Sequence, residues 1–153
     1  MEKETISIPL ESWYELAVSG IAPAVKTTLD GYSMQPLIRR KKDLVTIVPL
    51  FRSLKKGDIV LFRSAEGSYV VHRIWKIRGK QLQTFGDNCW KADAWIDRSQ
   101  VYGLVIKVKR NNREWMLDTL LSRNLGRLWQ LIHPARFFYK KVRNRVCRFI
   151  RNA

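Results

Sequence analysis

Between residues 24 and 110 the chain repeats one pattern. Short apolar and β-branched runs alternate with turn residues: "AVKTTL", "DLVTIVPL", "GDIVLFRS", "SYVVHRIWKIRG", "QLQTFGD" and "VYGLVIKVKR". Runs of this length and composition predict β-strands. "AEGS" between "IVLFRS" and "YVVHRI" predicts a hairpin loop, and "RGKQ" predicts another. Strands at this spacing, with no long helix between them, predict a mainly β fold built as a coiled or closed antiparallel, barrel-like sheet. Ahead of them, "ESWYELAVSG" sets Trp13, Leu16 and Ala17 at helical spacing, with Gly20 able to end the turn. A short N-terminal helix is expected there.

The period changes near residue 116. Leu117, Leu120, Leu121, Leu125, Leu128 and Ile132 recur at three and four residues. Pro134 interrupts them, and Phe138, Val142, Val146, Phe149 and Ile150 resume the stripe among Lys140, Lys141, Arg143, Arg145, Arg148 and Arg151. Two amphipathic helices with a break at "HPA" are expected. The chain therefore divides into a β-rich part, 1–116, and a basic helical extension, 117–153.

Charge sharpens that division. The formal net charge is +16, and residues 117–153 carry 9 Lys/Arg against the single acid Asp118. An excess of this size favours polyanionic partners, either nucleic acid or an anionic membrane surface. The hydrophobic fraction of 46% is enough for one real core. Cys89 and Cys147 are too few for a disulfide scaffold, so a reduced, cytoplasmic setting is the default expectation. With only His72 and His133, and no CxxC or HExxH spacing, no metal site and no cofactor is expected. The start, "MEKETISIPL", lacks the basic and apolar segments of a secretory signal, and no run of about 18 apolar residues predicts a membrane-spanning helix.

The candidate chemistry begins at "GYSMQP", residues 31–36. A serine hydroxyl needs a base within hydrogen-bond reach and donors for the oxyanion it creates. Gly31 would permit a tight turn that aims the Ser33 N–H and hydroxyl into one cavity, with Tyr32 between them. Read alone, the segment is an ordinary turn serine. The candidate base is His72 in "YVVHRIW", where strand alternation groups Val70, His72 and Ile74 on one face and Val71, Arg73 and Trp75 on the other. His72 is otherwise a structural histidine among apolar neighbours. His133, at a helix break, is assigned no chemistry. In "TFGDNCWKAD", Asp87 and Asp93 are both candidates to orient the imidazole, or else solvated turn carboxylates.

The order of these segments carries more than any one of them. Gly-x-Ser-Met-x-Pro, then "KKGDIVLFR", then "VVHRI", then "GDN" resembles the signal peptidase and LexA-like serine peptidase superfamily, over about residues 29–109. The resemblance implies Ser33 as nucleophile and, with histidine at the base position, the Ser–His branch of endoplasmic-reticulum, archaeal and spore-former signal peptidases. It implies an acid in or after "GDN" supporting His72. Asp93 matches that supporting position, and Asp87 matches the turn of the motif. It implies the peptidase type of coiled β core, a precursor peptide or protein as substrate with small residues before the cut, and an acyl-enzyme mechanism. The match is to a catalytic core without its transmembrane anchor, and the segment before Ser33 is too short for the DNA-binding unit of LexA-like repressors.

Two further expectations stay open. The basic extension either lies on an anionic membrane as a peripheral tether or packs its apolar stripe on the β core. The rival function is a non-enzymatic nucleic-acid- or membrane-binding module on a degenerate peptidase fold. Trp75, Phe85, Trp90 and Trp95 among Lys76, Arg78, Lys80 and Lys91 would supply a stacking surface, but no nucleic-acid motif accompanies them, so no specific nucleic acid is expected.

Overall fold

The computed structural model describes residues 12, 13, 15, 16, 19 and 23–132. The expectations for Gly20, His133, Cys147 and the second tail helix lie outside them. Eight strands form one sheet: β1 (Val25–Thr28), β2 (Leu44–Val48), β3 (Ile59–Arg63), β4 (Tyr69–Arg78), β5 (Gln81–Phe85), β6 (Trp95–Asp97), β7 (Val101–Arg110) and β8 (Arg113–Met116). A helix, α1 (Leu120–Leu131), follows. The spatial order is β1-β2-β7-β3-β4-β5-β6, with β8 paired to β7. Every pairing is antiparallel.

The sheet curls because three of its pairings slip register, between Thr46 and Ile47, Leu61 and Phe62, and Ile74 and Lys76. Each irregularity adds local bend and twist. The result is a curled antiparallel half-barrel. The path ends at β1 and β6, which do not pair with one another, so of the coiled and closed forms expected the sheet takes the coiled, open one. Both hairpin loops fall where the turn residues put them. Ser64 N–H donates to Ser68 O at 2.8 Å, and Gly67 and Gly79 take the positive φ that those turns require.

Two apolar clusters fill the curl. One holds Trp13, Met34, Ile38, Ile59, Leu61 and Val71, and the other holds Val60, Phe62, Ile74, Leu82 and Leu104. Alternation along β3 and β4 divides their side chains between the two clusters, as a period of two requires. Trp13 is fully buried and its Nε1–H donates to Pro23 O at 2.7 Å, so the N-terminal segment docks through this side chain.

A buried carboxylate ties the 29–43 loop to the sheet. Asp43, 0% exposed, accepts from Arg39 N, Nε and Nη2 and from Arg110 Nε and Nη2. Arg110 Nη2 also donates to Pro36 O at 3.2 Å and Leu37 O at 3.1 Å. Burial pushes the Asp43 carboxyl up, but the two guanidinium groups outweigh it and hold it at about 2, below its ordinary 3.8. Its contribution to stability is thus complete above its ordinary value and is lost as pH falls through about 2. Asp43→Ala is expected to lower unfolding stability at neutral pH by about 3 kcal/mol, since it leaves two arginines facing a buried gap. Urea unfolding of the two proteins measures this, and a loss below about 1 kcal/mol would contradict it.

Candidate active site

Four segments converge on β4 around His72. The first is the turn after β1 that carries Ser33. Gln35 N–H donates to Tyr32 O at 3.2 Å and Ile38 N–H to Met34 O at 2.9 Å. Met34 and Ile38 are buried in the core, which pins the turn while Ser33 stays half-buried at its surface. Gly31 does not take a positive φ, and a Cβ there would make only ordinary contact, 3.7 Å from Ser33 Oγ. The turn therefore does not draw on the conformational freedom that Gly31 permits; Gly31 lies beside the hydroxyl and leaves space there. Tyr32 is exposed, with the Arg40 guanidinium 4.9 Å from its ring centre.

The second element is the "GDN" turn after β5. Asn88 N–H donates to Ser33 O at 2.6 Å, and Asn88 Nδ2 donates to Tyr32 O at 3.2 Å. Asn88 is thus the clamp between the two turns, a role that composition did not assign to it. Gly86 is where they touch. A Cβ at Gly86 would lie 2.9 Å from Ser33 O, 2.9 Å from His72 Nε2 and 2.5 Å from Cys89 Sγ. Only a residue without a side chain lets these three groups meet.

His72 and Asp93 supply the third and fourth elements. The His72 ring is buried beside Phe62, with centroids 6.2 Å apart. Its Nδ1–H donates to Asp93 Oδ2 at 2.6 Å. The same oxygen accepts from Thr84 Oγ1 at 2.6 Å, while Asp93 N–H donates to Thr84 O at 2.9 Å and Gln83 Nε2 donates to Asp93 O at 3.1 Å. β5 therefore fixes the carboxylate, and the carboxylate fixes the tautomer, leaving Nε2 directed at the Gly86 contact. Burial disfavours the imidazolium, but hydrogen bonds to Asp93 and to Cys89 outweigh it and raise His72 from 6.5 to about 9. No hydrogen bond joins Ser33 Oγ to His72 among the described residues; Cys89 Sγ lies on that side of the ring, over Gly86.

Asp87 stands apart from the imidazole. Its two oxygens accept from Arg73 Nε at 2.9 Å and Nη2 at 2.7 Å, with both side chains buried. Arg73 Nη1 donates to Gly57 O at 2.9 Å. α1 covers this pair. A Cβ at Gly126 would overlap the guanidinium, Trp129 Nε1–H donates to Asp87 O at 3.1 Å, and Gln130 Nε2 donates to Phe85 O at 3.1 Å. Between α1 and the β7–β8 hairpin an apolar groove of about 440 Å³ is lined by Leu37, Arg73, Asp87, Trp115, Leu121 and Leu125, and neither Ser33 nor His72 opens into it.

Of the aromatics considered for stacking, Phe85 is buried with Trp75 against its edge, Trp95 lies under Arg78, and Trp90 is 80% exposed. Phe85 is closed to a base, which breaks the proposed row. No group of three or more His, Cys, Asp or Glu is placed to hold a metal ion among the described residues. No helix among them is long and apolar enough to cross a membrane. No protein-family model and no curated protein matches the chain.

The imidazole gives a direct readout of this geometry. By proton-detected NMR titration His72 is expected to lose its proton near pH 9. Asp93→Asn is expected to bring the value down toward 6.5, because the neutral amide no longer favours the imidazolium. A wild-type value at or below 6.5 would contradict the assignment.

Proposed function

We propose that the protein is a serine endopeptidase of the signal peptidase and LexA-like kind, acting on precursor peptides through Ser33 and His72 with Asp93 as the orienting acid. The observation that carries this reading is the Asp93–His72 pair, with Nε2 and the main chain of Ser33 meeting over Gly86. That the sheet is curled and antiparallel agrees with the peptidase type of core. The "GDIV" segment supports the base: Gly57 N–H donates to Ile74 O and Ile74 N–H to Asp58 O, which aligns β3 with the strand that carries His72.

In this mechanism neutral His72 Nε2 takes the Ser33 proton as Oγ attacks the scissile carbonyl carbon. The C–N bond then breaks, and the same proton passes to the leaving amine. Water, activated by the same nitrogen, releases the acyl group. Asp93 holds the ring and stabilises the imidazolium that forms. The Ser33 N–H is one oxyanion donor. Among the described residues β1 pairs only with β2, which leaves its outer edge for an extended peptide laid beside it, and the chain runs from Thr28 directly into the Ser33 turn.

The base must be neutral to accept a proton, so activity is expected to rise with pH and level off only above about 9. Cleavage of leader or signal peptides, followed by mass spectrometry, is expected to fall by about 10³-fold or more in Ser33→Ala and in His72→Ala. Cleavage that survives both substitutions would remove the peptidase reading.

A peripheral membrane tether is proposed for the extension on a specific observation. α1 turns Arg123, Gly126 and Gln130 inward, while Leu121, Leu125 and Leu128 are 70%, 57% and 55% exposed. Its leucine face, followed by the basic sequence, fits the interface of an anionic bilayer. The full chain is expected to co-sediment with vesicles containing anionic lipid. Replacing these three leucines together by serine should weaken binding at least about tenfold. Unchanged binding would rule out α1 as the contact.

A further inference from the structure

The cations that follow the Ser33 turn have no part in the mechanism above. Residues 24–42 hold five Lys/Arg, namely Lys26 and the run from Arg39 to Lys42, against one acid, Asp30. That run folds back on the segment joining β1 to Ser33. Lys41 N–H donates to Leu29 O at 2.8 Å, and the backbone turns at Lys41 itself, with φ 53°. A residue with a side chain is held at a positive φ only where its surroundings fix it. Arg40 is fixed by two neighbours. Its Nε–H donates to Asp30 O at 2.6 Å and Oδ1 at 2.7 Å, and Nη1–H donates at 2.8 Å to the hydroxyl of Tyr32, the residue before Ser33. Lys41 Nζ reaches the same Asp30 oxygen at 3.4 Å, so one carboxylate, 69% exposed, serves two cations. Asp43 is closed to them, being buried and taken by Arg39 and Arg110. Lys42 and, on β1, Lys26 are exposed as well. The approach to Ser33 along β1 therefore carries an excess of fixed positive charge.

We propose that Arg40 and Lys41 form an anion-binding rim of the Ser33 site, and that the peptides it takes carry acidic side chains in the stretch laid along β1. The fate of the bound peptide rests on the proposed peptidase reading, whereas its binding does not. An extended peptide beside β1 advances about 3.3 Å per residue. Between Thr28 and Ser33 it passes Asp30 and Tyr32, so a carboxylate within about five residues of the scissile bond comes within reach of both cations. Exposed ion pairs are weak, so a peptide carboxylate exchanges with Asp30, or joins it, at little cost. Charges at such a rim act on encounter and on selection between ligands, and their effect is screened by salt. Peptide rather than nucleic acid is the polyanion that fits. The rim borders a strand edge whose donors and acceptors alternate, which is the pattern of a peptide main chain and not of a phosphate backbone.

The test uses the full-length Ser33→Ala protein, which binds without cleaving, and two fluorescent peptides of one sequence, one with a pair of glutamates near its centre and the other with glutamines there. By fluorescence anisotropy at low salt the glutamate peptide is expected to bind about fivefold tighter, the effect of two exposed ion pairs, and the difference should vanish near 0.5 M salt, roughly. Adding Arg40→Gln and Lys41→Gln together should remove the difference at low salt too. Adding Lys80→Gln and Arg98→Gln instead, which takes as much charge from the β6 end of the sheet, should keep it. Asp30→Asn should widen it to about tenfold, because the two cations lose their internal partner; a misfolded variant would not gain binding. Equal binding of the two peptides at low salt, or a preference that survives the loss of Arg40 and Lys41, overturns the proposal. So does a labelled oligonucleotide that binds tighter than the glutamate peptide and is released by the same double change, since the rim would then belong to nucleic acid. If the wild type cleaves, the preference should appear in KM with kcat little changed. No cleavage together with an intact preference would remove the peptidase reading and leave the rim supported.

Discussion

The buried Arg73–Asp87 ion pair is the constraint from which the site follows. Arg73 is the residue after His72 on β4, and Asp87 is the residue after Gly86. Joining the two carboxylate oxygens to one guanidinium sets the "GDN" turn at a single distance and angle from the strand that carries the base. Gly86 is then pressed against His72, and Asn88 is brought to the Ser33 carbonyl. A pair this deep is costly to desolvate and would leave a stranded charge if either partner were removed. Its value lies in fixing geometry. Gly57 and α1 complete its shell, with Gly57 O taking the remaining guanidinium contact and Trp129 bonding the Asp87 carbonyl.

This arrangement explains why α1 is turned with its polar side inward. The surface it meets is an arginine, a carboxylate and two loop carbonyls, so the residues that fit are a glycine against the guanidinium plane, a glutamine and an arginine. Arg123 reaches Asp58 at 3.5 Å and the Asp118 carbonyl, and its main chain packs against Gly57. The leucines are left on the other side. An amphipathic stripe is commonly the face that meets the core. Here the hydrogen-bonding needs of the buried ion pair decide otherwise, and the helix has an apolar face exposed.

A second tension runs through the base itself. Asp93 and Cys89 both favour the imidazolium, while burial opposes it. A base set near 9 is strong once neutral, but it is mostly protonated at neutral pH. The Ser33 carbonyl and the Cys89 sulfur thus meet the same side of one imidazole, over Gly86. The two turns that hold them are linked through Asn88 and Gly86.

Much of this protein was legible from residue order alone. Period-two runs and turn residues located the hairpins at "AEGS" and "RGKQ", because local backbone preferences decide such features. The short β6 and β8 strands were not legible: three residues with only Ile96 buried, and four exposed ones, are too few to show a period, and they exist because β5 and β7 offer them an edge to pair with. Ser33, His72, Asp87 and Asp93 could be singled out as candidates by their residue types and order. Which acid meets the imidazole could not, since Asp87 and Asp93 are both turn carboxylates until Arg73 takes one of them. The sequence by itself determined six of the eight strands, the turns and the identity of the groups available for chemistry, all of which depend on near neighbours. The tertiary structure alone decided the pairing of Asp93 with His72, the raised proton affinity of that ring, the contact with Cys89 and the outward leucines of α1. Each of these depends on distances between residues remote in the chain and on which buried charge is neutralised by which partner.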